Sequence, residues 1–149
     1  MSIVKMRPPR IAASLTVMAV AFHWWLINGE SARFSSAWGG AFLGLAGFVL
    51  MMWAWLLFKR QSLAVCLPDR TAYITKAGPY RFTRNPMYLG MVLMMLGLAL
   101  YLGTAPFYLS AVIYFGILDF FFCPYEESKL TAAFGAEYLR YRKRVRRWI

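Results

Sequence analysis

The sequence predicts an all-α integral membrane protein with four transmembrane helices, a cytoplasmic loop and C-terminal interfacial helices. Three observations carry this expectation: composition, four long runs without a charge, and the placement of the basic residues. Of the 149 residues, 60% are hydrophobic and only 15% charged, with a mean hydropathy of +0.50. A soluble domain carries about 45–50% apolar and about 25% charged residues, and so short a chain cannot hide this much apolar surface from water. The same hydrophobicity excludes intrinsic disorder. The length fits one domain, residues 1–149.

The spans follow in order. Ile11–Asn28, Ala37–Phe58, Met87–Thr104 and Ala105–Leu118 contain no Lys, Arg, Asp or Glu, and the last continues past Asp119 to Cys123. A helix needs about 20 apolar residues to cross the hydrocarbon core, and the absence of period-two alternation excludes a barrel. The expected spans are therefore about 11–28, 37–58, 86–103 and 105–123, with a cytoplasmic helical tail over 124–149. Gly103, Thr104, Ala105 and Pro106 interrupt what would otherwise overshoot the bilayer, so a tight helical hairpin is expected there. The first run has the basic flank of a signal peptide, but it exceeds the usual apolar region of about 7–15 residues and is read as a retained helix. Gly40-xxx-Gly44, with Gly47, Gly90 and Gly97, marks smooth helix faces, read as packing within the chain. His23, beside Trp24 and Trp25, reads as an interfacial residue.

Charge fixes the orientation. Of the 17 basic residues, all but Arg33 fall in the N-terminal arm, the loop from Lys59 to Arg84, or the tail from Lys129 onward. The positive-inside rule then puts both termini in the cytoplasm of what reads as a prokaryotic inner membrane. The +11 charge is a topology signal and a contact with anionic membrane lipids, with no nucleic-acid role expected. Cys66 and Cys123 form no CxxC pair, so neither a disulfide framework nor a zinc site is signalled. No metal is expected.

Chemistry concentrates in two clusters. The first is Gly78-Pro79-Tyr80-Arg81-Phe82-Thr83-Arg84-Asn85-Pro86-Met87-Tyr88. Asn85 reads as a helix N-cap and Pro86 as the first helical residue, so free amides and the positive end of the helix dipole favour an anion there. The second is Asp119, then Cys123-Pro124-Tyr125-Glu126-Glu127, with Pro124 expected to begin a new helix that stops at Gly135. If the helix ran through with only a kink, Asp119 and Glu126 would share a face at i, i+7. An acid in an apolar span is a functional candidate by default; the alternative for Asp119 is a structural ion pair with Arg81 or Arg84. The tail from Ala136 to Trp148 reads as a basic interfacial helix, mostly solvated or lipid-bound. An anion-favouring helix start and a carboxylate pair at one depth suit a zwitterionic ligand that also carries a cation.

At these clusters the sequence resembles the integral-membrane isoprenylcysteine carboxyl methyltransferase and phospholipid methyltransferase family. Its ordered segments stand here as Gly78-Pro79-Tyr80, Arg84-Asn85-Pro86-Met87-Tyr88, Glu126-Glu127 and Phe134-Gly135-Ala136-Glu137-Tyr138-Leu139-Arg140-Tyr141. The resemblance covers roughly residues 70–146. It implies S-adenosylmethionine as cofactor, in a cytoplasm-facing pocket formed by the last spans, the loop and the tail. The implied cofactor-binding residues are Ala72, Tyr73, Ile74, Thr75, Tyr80, Asn85, Pro86, Met87, Tyr88 and Glu126. Two positions depart from the family pattern. Asn85 replaces a histidine, and Phe122 stands where carboxyl methyltransferases place an arginine against the substrate carboxylate. Phe122 is therefore expected on the substrate side, and a carboxylate acceptor there would lose its bidentate partner. Asp119 is the candidate catalytic group, as base or orienting residue. The resulting expectation is methyl transfer from S-adenosylmethionine to a lipid or lipophilic acceptor at the cytoplasmic face. A small four-helix transporter and a non-catalytic membrane scaffold are the alternatives.

Overall fold

A computed structural model describes residues 8–26, 35–65 and 76–149, with the side chains of 25–26 and 61–65 left aside. The regular elements among the described residues are all helical: α1 (Pro8–Leu26), α2 (Ala37–Val65), a 3-10 turn (Gly78–Arg81), α3 (Pro86–Leu102), α4 (Ala105–Ile117), a π-helical turn (Leu118–Phe122), α5 (Cys123–Phe134) and α6 (Ala136–Arg144). Among the described residues, two helical stretches are long and apolar enough to cross a bilayer: Ala37–Arg60, with mean hydropathy 2.1, and Ala105–Phe134, with 1.7. α3 is equally apolar but has 17 residues, about 26 Å of helix, slightly less than the hydrocarbon thickness.

The helices pack in the order α2, α3, α4, α1. α2 and α3 meet along a glycine seam. A Cβ on Gly47 would lie 2.6 Å from the Gly90 carbonyl, and one on Gly97 would lie 2.5 Å from the Gly44 amide. The small residues let the two backbones touch, which is how helices associate in lipid, where apolar burial by itself drives nothing. The opposite face of α2 carries exposed Trp38, Phe42, Leu45 and Val49, a surface suited to acyl chains and unsuited to water.

The hairpin expected at residues 103–106 is present. Gly103 takes φ +72°, its amide donating to the Ala99 carbonyl, and Thr104 is extended before α4. A left-handed glycine closing a helix and a proline in the next first turn make this a sharp reversal. α4 buries Tyr114 completely, its hydroxyl 3.3 Å from the Pro8 carbonyl and 3.2 Å from Met91 Sδ, which fastens the start of α1 to α3 and α4. Ile11, Tyr88, Met95, Leu118 and Phe122 gather around it as the principal apolar core.

Several boundaries differ from expectation. α1 is already helical at Pro8, before the expected start at 11, and α2 runs on to Val65 instead of ending at residue 58. Helix formers such as Lys59, Arg60 and Gln61 carry α2 past the last apolar turn. α3 ends at 102, one residue before the expected 103. Pro124 begins no separate helix: α4 continues into α5 through the π-helical turn, in which the Cys123 amide donates to the Leu118 carbonyl. The extra residue in that turn rearranges the bonds that Pro124, lacking an amide, would otherwise break. The tail helix expected to reach Trp148 stops at Arg144, and Val145 turns extended with φ −118° and ψ +130°.

Candidate functional site

The extended tail decides the geometry of the polar end. Residues 145–149 lie beside the segment that leads into α3, where Thr83 and Arg146 form a parallel bridge and the Arg84 amide donates to the Arg146 carbonyl at 3.0 Å. The Arg147 carbonyl accepts from the Thr83 hydroxyl at 2.9 Å and from Asn85 Nδ2 at 3.3 Å. Asn85 does occupy the N-cap position, and Pro86 opens the helix, but the Asn85 side chain makes no cap bond. The tail carbonyl claims its amide group, while its carbonyl oxygen finds no α3 amide. The expected side-chain cap is thus replaced by a tether to the tail, and the first-turn amides of α3 stay without that acceptor.

Arg147 also joins the two acidic positions that the sequence set apart. Its guanidinium reaches Asp119 Oδ1 at 3.0 Å and both oxygens of Glu127, at 2.9 and 3.2 Å. These carboxylates, Glu127 foremost, hold Arg147 more firmly in its charged form than an isolated arginine. Arg84 approaches the same Glu127 at 3.2 Å, and Trp148 donates its indole N–H to Asp119 Oδ1 at 2.9 Å. The expected ion pair of Asp119 with Arg81 or Arg84 is therefore corrected: its partners are Arg147 and Trp148. The pairing of Asp119 with Glu126 on one face is corrected too. A π-helical turn adds one residue to the repeat, so the face reached at i+7 in a plain α-helix is reached at i+8. Asp119 consequently shares Arg147 with Glu127, and Glu126 rotates away.

Glu126 turns toward α3 and accepts a hydrogen bond from the Tyr88 hydroxyl. The Phe122 and Tyr88 rings meet edge to face, with ring centres 6.4 Å apart at 71°. Phe122 itself is buried. Tyr80 lies on the neighbouring 3-10 turn, where its hydroxyl contacts the Ala54 carbonyl of α2 at 3.5 Å and its own carbonyl accepts from Tyr141 at 2.7 Å. Burial raises both phenols, Tyr80 and Tyr141, to about 12, so each stays a neutral donor at physiological pH.

Among the described carboxylates, Asp119 and Glu127 take Arg147, Glu127 also takes Arg84, and Glu137 pairs with Lys76. Glu126 alone of the described acids has no cation within salt-bridge distance among the described residues, Lys129 acting on it only from farther off, although it is only partly exposed. Four residues before Tyr88, the buried Nε of Arg84 has no hydrogen-bond partner. An unpaired buried donor is costly, and an acid without an ion pair together with a guanidinium N–H without an acceptor suits an amino-acid zwitterion.

The expected site residues thus divide. Asn85, Pro86, Met87 and Tyr88 form the end of α3 that faces the tail and α5, and Glu126 joins them through Tyr88. Phe122 adjoins Tyr88, whereas Asp119 sits within the Arg147 cluster. Tyr80 is held one element away, between α2 and α6. Ala72, Tyr73, Ile74 and Thr75 lie outside the described residues, as does Cys66. Thr83, Arg147 and Trp148 were not anticipated. The last two sit in a run of basic residues whose composition resembles a solvated tail, and only the bare spacing of Trp148 after the arginines set them apart.

The family model for phospholipid methyltransferases matches residues 35–137. An uncharacterized protein of Haemophilus influenzae is 38% identical over 63 residues, which is 42% of this chain and the whole of that protein. No solved structure matches. The matched region contains α2, the loop, the hairpin, the π-helical turn and Glu126, and on that match the chain belongs to the phospholipid methyltransferase family, a family of membrane methyltransferases.

Proposed function

We propose that this chain transfers a methyl group from S-adenosylmethionine to a lipophilic acceptor at the cytoplasmic face of a prokaryotic inner membrane. In this reading α1 through α4 cross the bilayer with both termini inside, and the polar end formed by the loop, α5 and the tail faces the cytoplasm. The observation that carries the proposal is the unpaired Glu126 carboxylate against Tyr88, beside the uncapped start of α3 and the orphaned Arg84 Nε. A donor with an ammonium, a carboxylate and a sulfonium supplies the opposite charge at each place.

When bound, S-adenosylmethionine supplies an electrophilic methyl carbon. What remains for the protein is placement and the exclusion of water. Glu126 attracts the ammonium or the sulfonium region. The α3 amides, with Arg84 behind them, take the carboxylate. Tyr88 orients the Glu126 carboxylate, and Phe122 keeps the Tyr88 ring dry on its other edge. Phe122 in place of an arginine favours a neutral or amine acceptor arriving from the lipid side over a carboxylate, in keeping with the phospholipid family match. Loss of a proton from an amine acceptor requires a base, and Asp119 is the proposed candidate.

Calorimetric titration of S-adenosylmethionine and its demethylated product into the detergent-solubilised protein tests the donor site. Saturable binding that falls at least tenfold in Glu126→Gln is expected, and unchanged affinity removes Glu126 from the site. Incubation of labelled donor with membrane lipid extracts then reveals the acceptor class. Label in no lipid fraction would sink the proposed reaction.

A further inference from the structure

One face of α6 and the turn before α3 enclose a basic hollow away from Tyr88 and Glu126. Glu137, Arg140, Tyr141 and Arg144 follow one another at i, i+3, i+4 and i+7, so they share a single stripe of α6. Opposite them stand Lys76 and Arg81, and together these residues line an open bowl of about 570 Å³. The wall is fixed in place. Tyr141, 7% exposed, donates to the Tyr80 carbonyl at 2.7 Å, and Lys76 pairs with Glu137.

That pair cancels, and the charge left over is cationic. Arg81, Arg140 and Arg144 have no carboxylate within salt-bridge distance among the described residues, and the bowl's only acid is already taken. Three convergent guanidiniums in a concave site of this size suit a phosphate group, which arginine binds through paired N–H donors. Arginines carried on one helix stripe and a tethered turn differ from a diffuse basic surface, because the backbone positions that bear them around the bowl are set before the ligand arrives.

The depth of the bowl selects the source of the phosphate. The 3-10 turn that carries Arg81 rests on α2 at Trp53, Ala54 and Leu57, one turn before Lys59 and Arg60 end the apolar stretch. Lys59 lies over the Trp55 ring at 5.0 Å, the arrangement of a lysine at a bilayer surface. Phe82, next to Arg81, is 75% exposed, an apolar side chain placed where acyl chains begin. The bowl therefore opens at head-group level.

We infer that this bowl is a discrete binding site for the phosphate head group of one anionic glycerophospholipid, separate from the Tyr88–Glu126 site. The inference holds whichever molecule is methylated. It uses the full chain's membrane placement, and its test reads lipid binding without donor or turnover. Dihexanoylphosphatidylglycerol, dihexanoylphosphatidylcholine and inorganic phosphate are titrated into the detergent-solubilised protein, with binding followed by calorimetry. The expected result is saturable binding of the phosphatidylglycerol at one site per chain, at least tenfold tighter than either other probe. Affinity should fall at least tenfold in Arg140→Gln/Arg144→Gln and in Arg81→Gln. The control Lys143→Gln, an exposed cation outside the bowl, should bind within twofold of the unaltered protein.

Equal losses in Lys143→Gln and in Arg81→Gln would replace the site with diffuse electrostatics and overturn the inference. Inorganic phosphate binding as tightly as the lipid would make it a free-anion site and overturn the lipid assignment. The titrations are scored on variants whose melting temperature lies within 3 °C of the parent. Arg81→Lys, which keeps the charge and loses the fork, provides a second reading and is expected to lose at least threefold.

Discussion

Replacing Arg147 by methionine removes a charge while keeping a long apolar stem, so it isolates what the guanidinium contributes. The Arg147 carbonyl still accepts from Thr83 and Asn85, because those bonds use the backbone. What disappears is the bidentate pair with Glu127, whose side chain is 8% exposed, and the contact with Asp119, 26% exposed. A charge-assisted hydrogen bond is worth about 1.5–3 kcal/mol net, and removing one partner of a buried pair costs about 3–5 kcal/mol. Here Arg84 remains within 3.2 Å of Glu127 and Trp148 remains on Asp119, so the lower end applies. The partly exposed Asp119 contact adds little, as solvent-screened pairs contribute about 0–1 kcal/mol. The expected total is about 2–3 kcal/mol. For a chain of this size each kcal/mol moves the melting temperature by about 2–4 °C, so Arg147→Met should melt about 4–12 °C lower in detergent, followed by tryptophan fluorescence. Arg147→Lys keeps the charge but not the fork and should lose about half as much. A double-mutant cycle with Glu127→Gln should return a coupling of about 1–3 kcal/mol. A shift below 1 °C, or a coupling indistinguishable from zero, would show that the tail is held by its backbone bonds alone and that the ion cluster is ornamental.

Four further outcomes follow from the same geometry. Asp119→Asn separates a base from a tail clamp: both donors sit on one oxygen and leave the other free, so a hundredfold loss of turnover with intact donor affinity is expected of the proposed base, whereas melting a few degrees lower at near-normal turnover per folded molecule would make Asp119 a tail clamp only. Tyr88→Phe removes the donor to Glu126 but keeps the ring against Phe122, so donor affinity should weaken about three- to tenfold with little change in melting, measured by titration and thermal scan. Gly90→Leu places side-chain atoms where the Gly47 carbonyl already lies 2.6 Å from a bare Cβ, and prising α2 from α3 should cost about 1–3 kcal/mol or more, visible as a lower melting temperature or lost expression. Tyr141 and Tyr80 ionise near 12 against an ordinary value of 10, so the folded state binds their protons more tightly; the stability they confer is complete below pH 10 and is lost as pH rises toward 12. Tyr141→Phe should flatten that alkaline decline in a melting series, and an unchanged slope would remove Tyr141 from the account.

The division between what was legible in the chain and what was not follows the range of the forces involved. Apolar runs and glycine–proline punctuation act within a few residues, so the helical class, the reversal at Gly103–Pro106 and the helix start at Asn85–Pro86 could be read directly. Glu126, Tyr88 and the segment around Asn85 were also recognisable as one chemical set, because their order along the chain carries a family pattern.

Their partners were not readable, and the reasons are specific. A π-helical turn depends on how Pro124 and its neighbours pack, and it shifted every later residue of that helix by one position, handing Asp119 to Arg147 and Glu126 to Tyr88. Arg147 and Arg146 look alike in sequence, yet one closes an ion cluster with its side chain and the other contributes a backbone carbonyl to Arg84. Local sequence settled which segments coil and which must leave water. Which carboxylate is left without a cation was settled only when chain segments more than 60 residues apart came together, since charge compensation depends on distance in space and not on order along the chain.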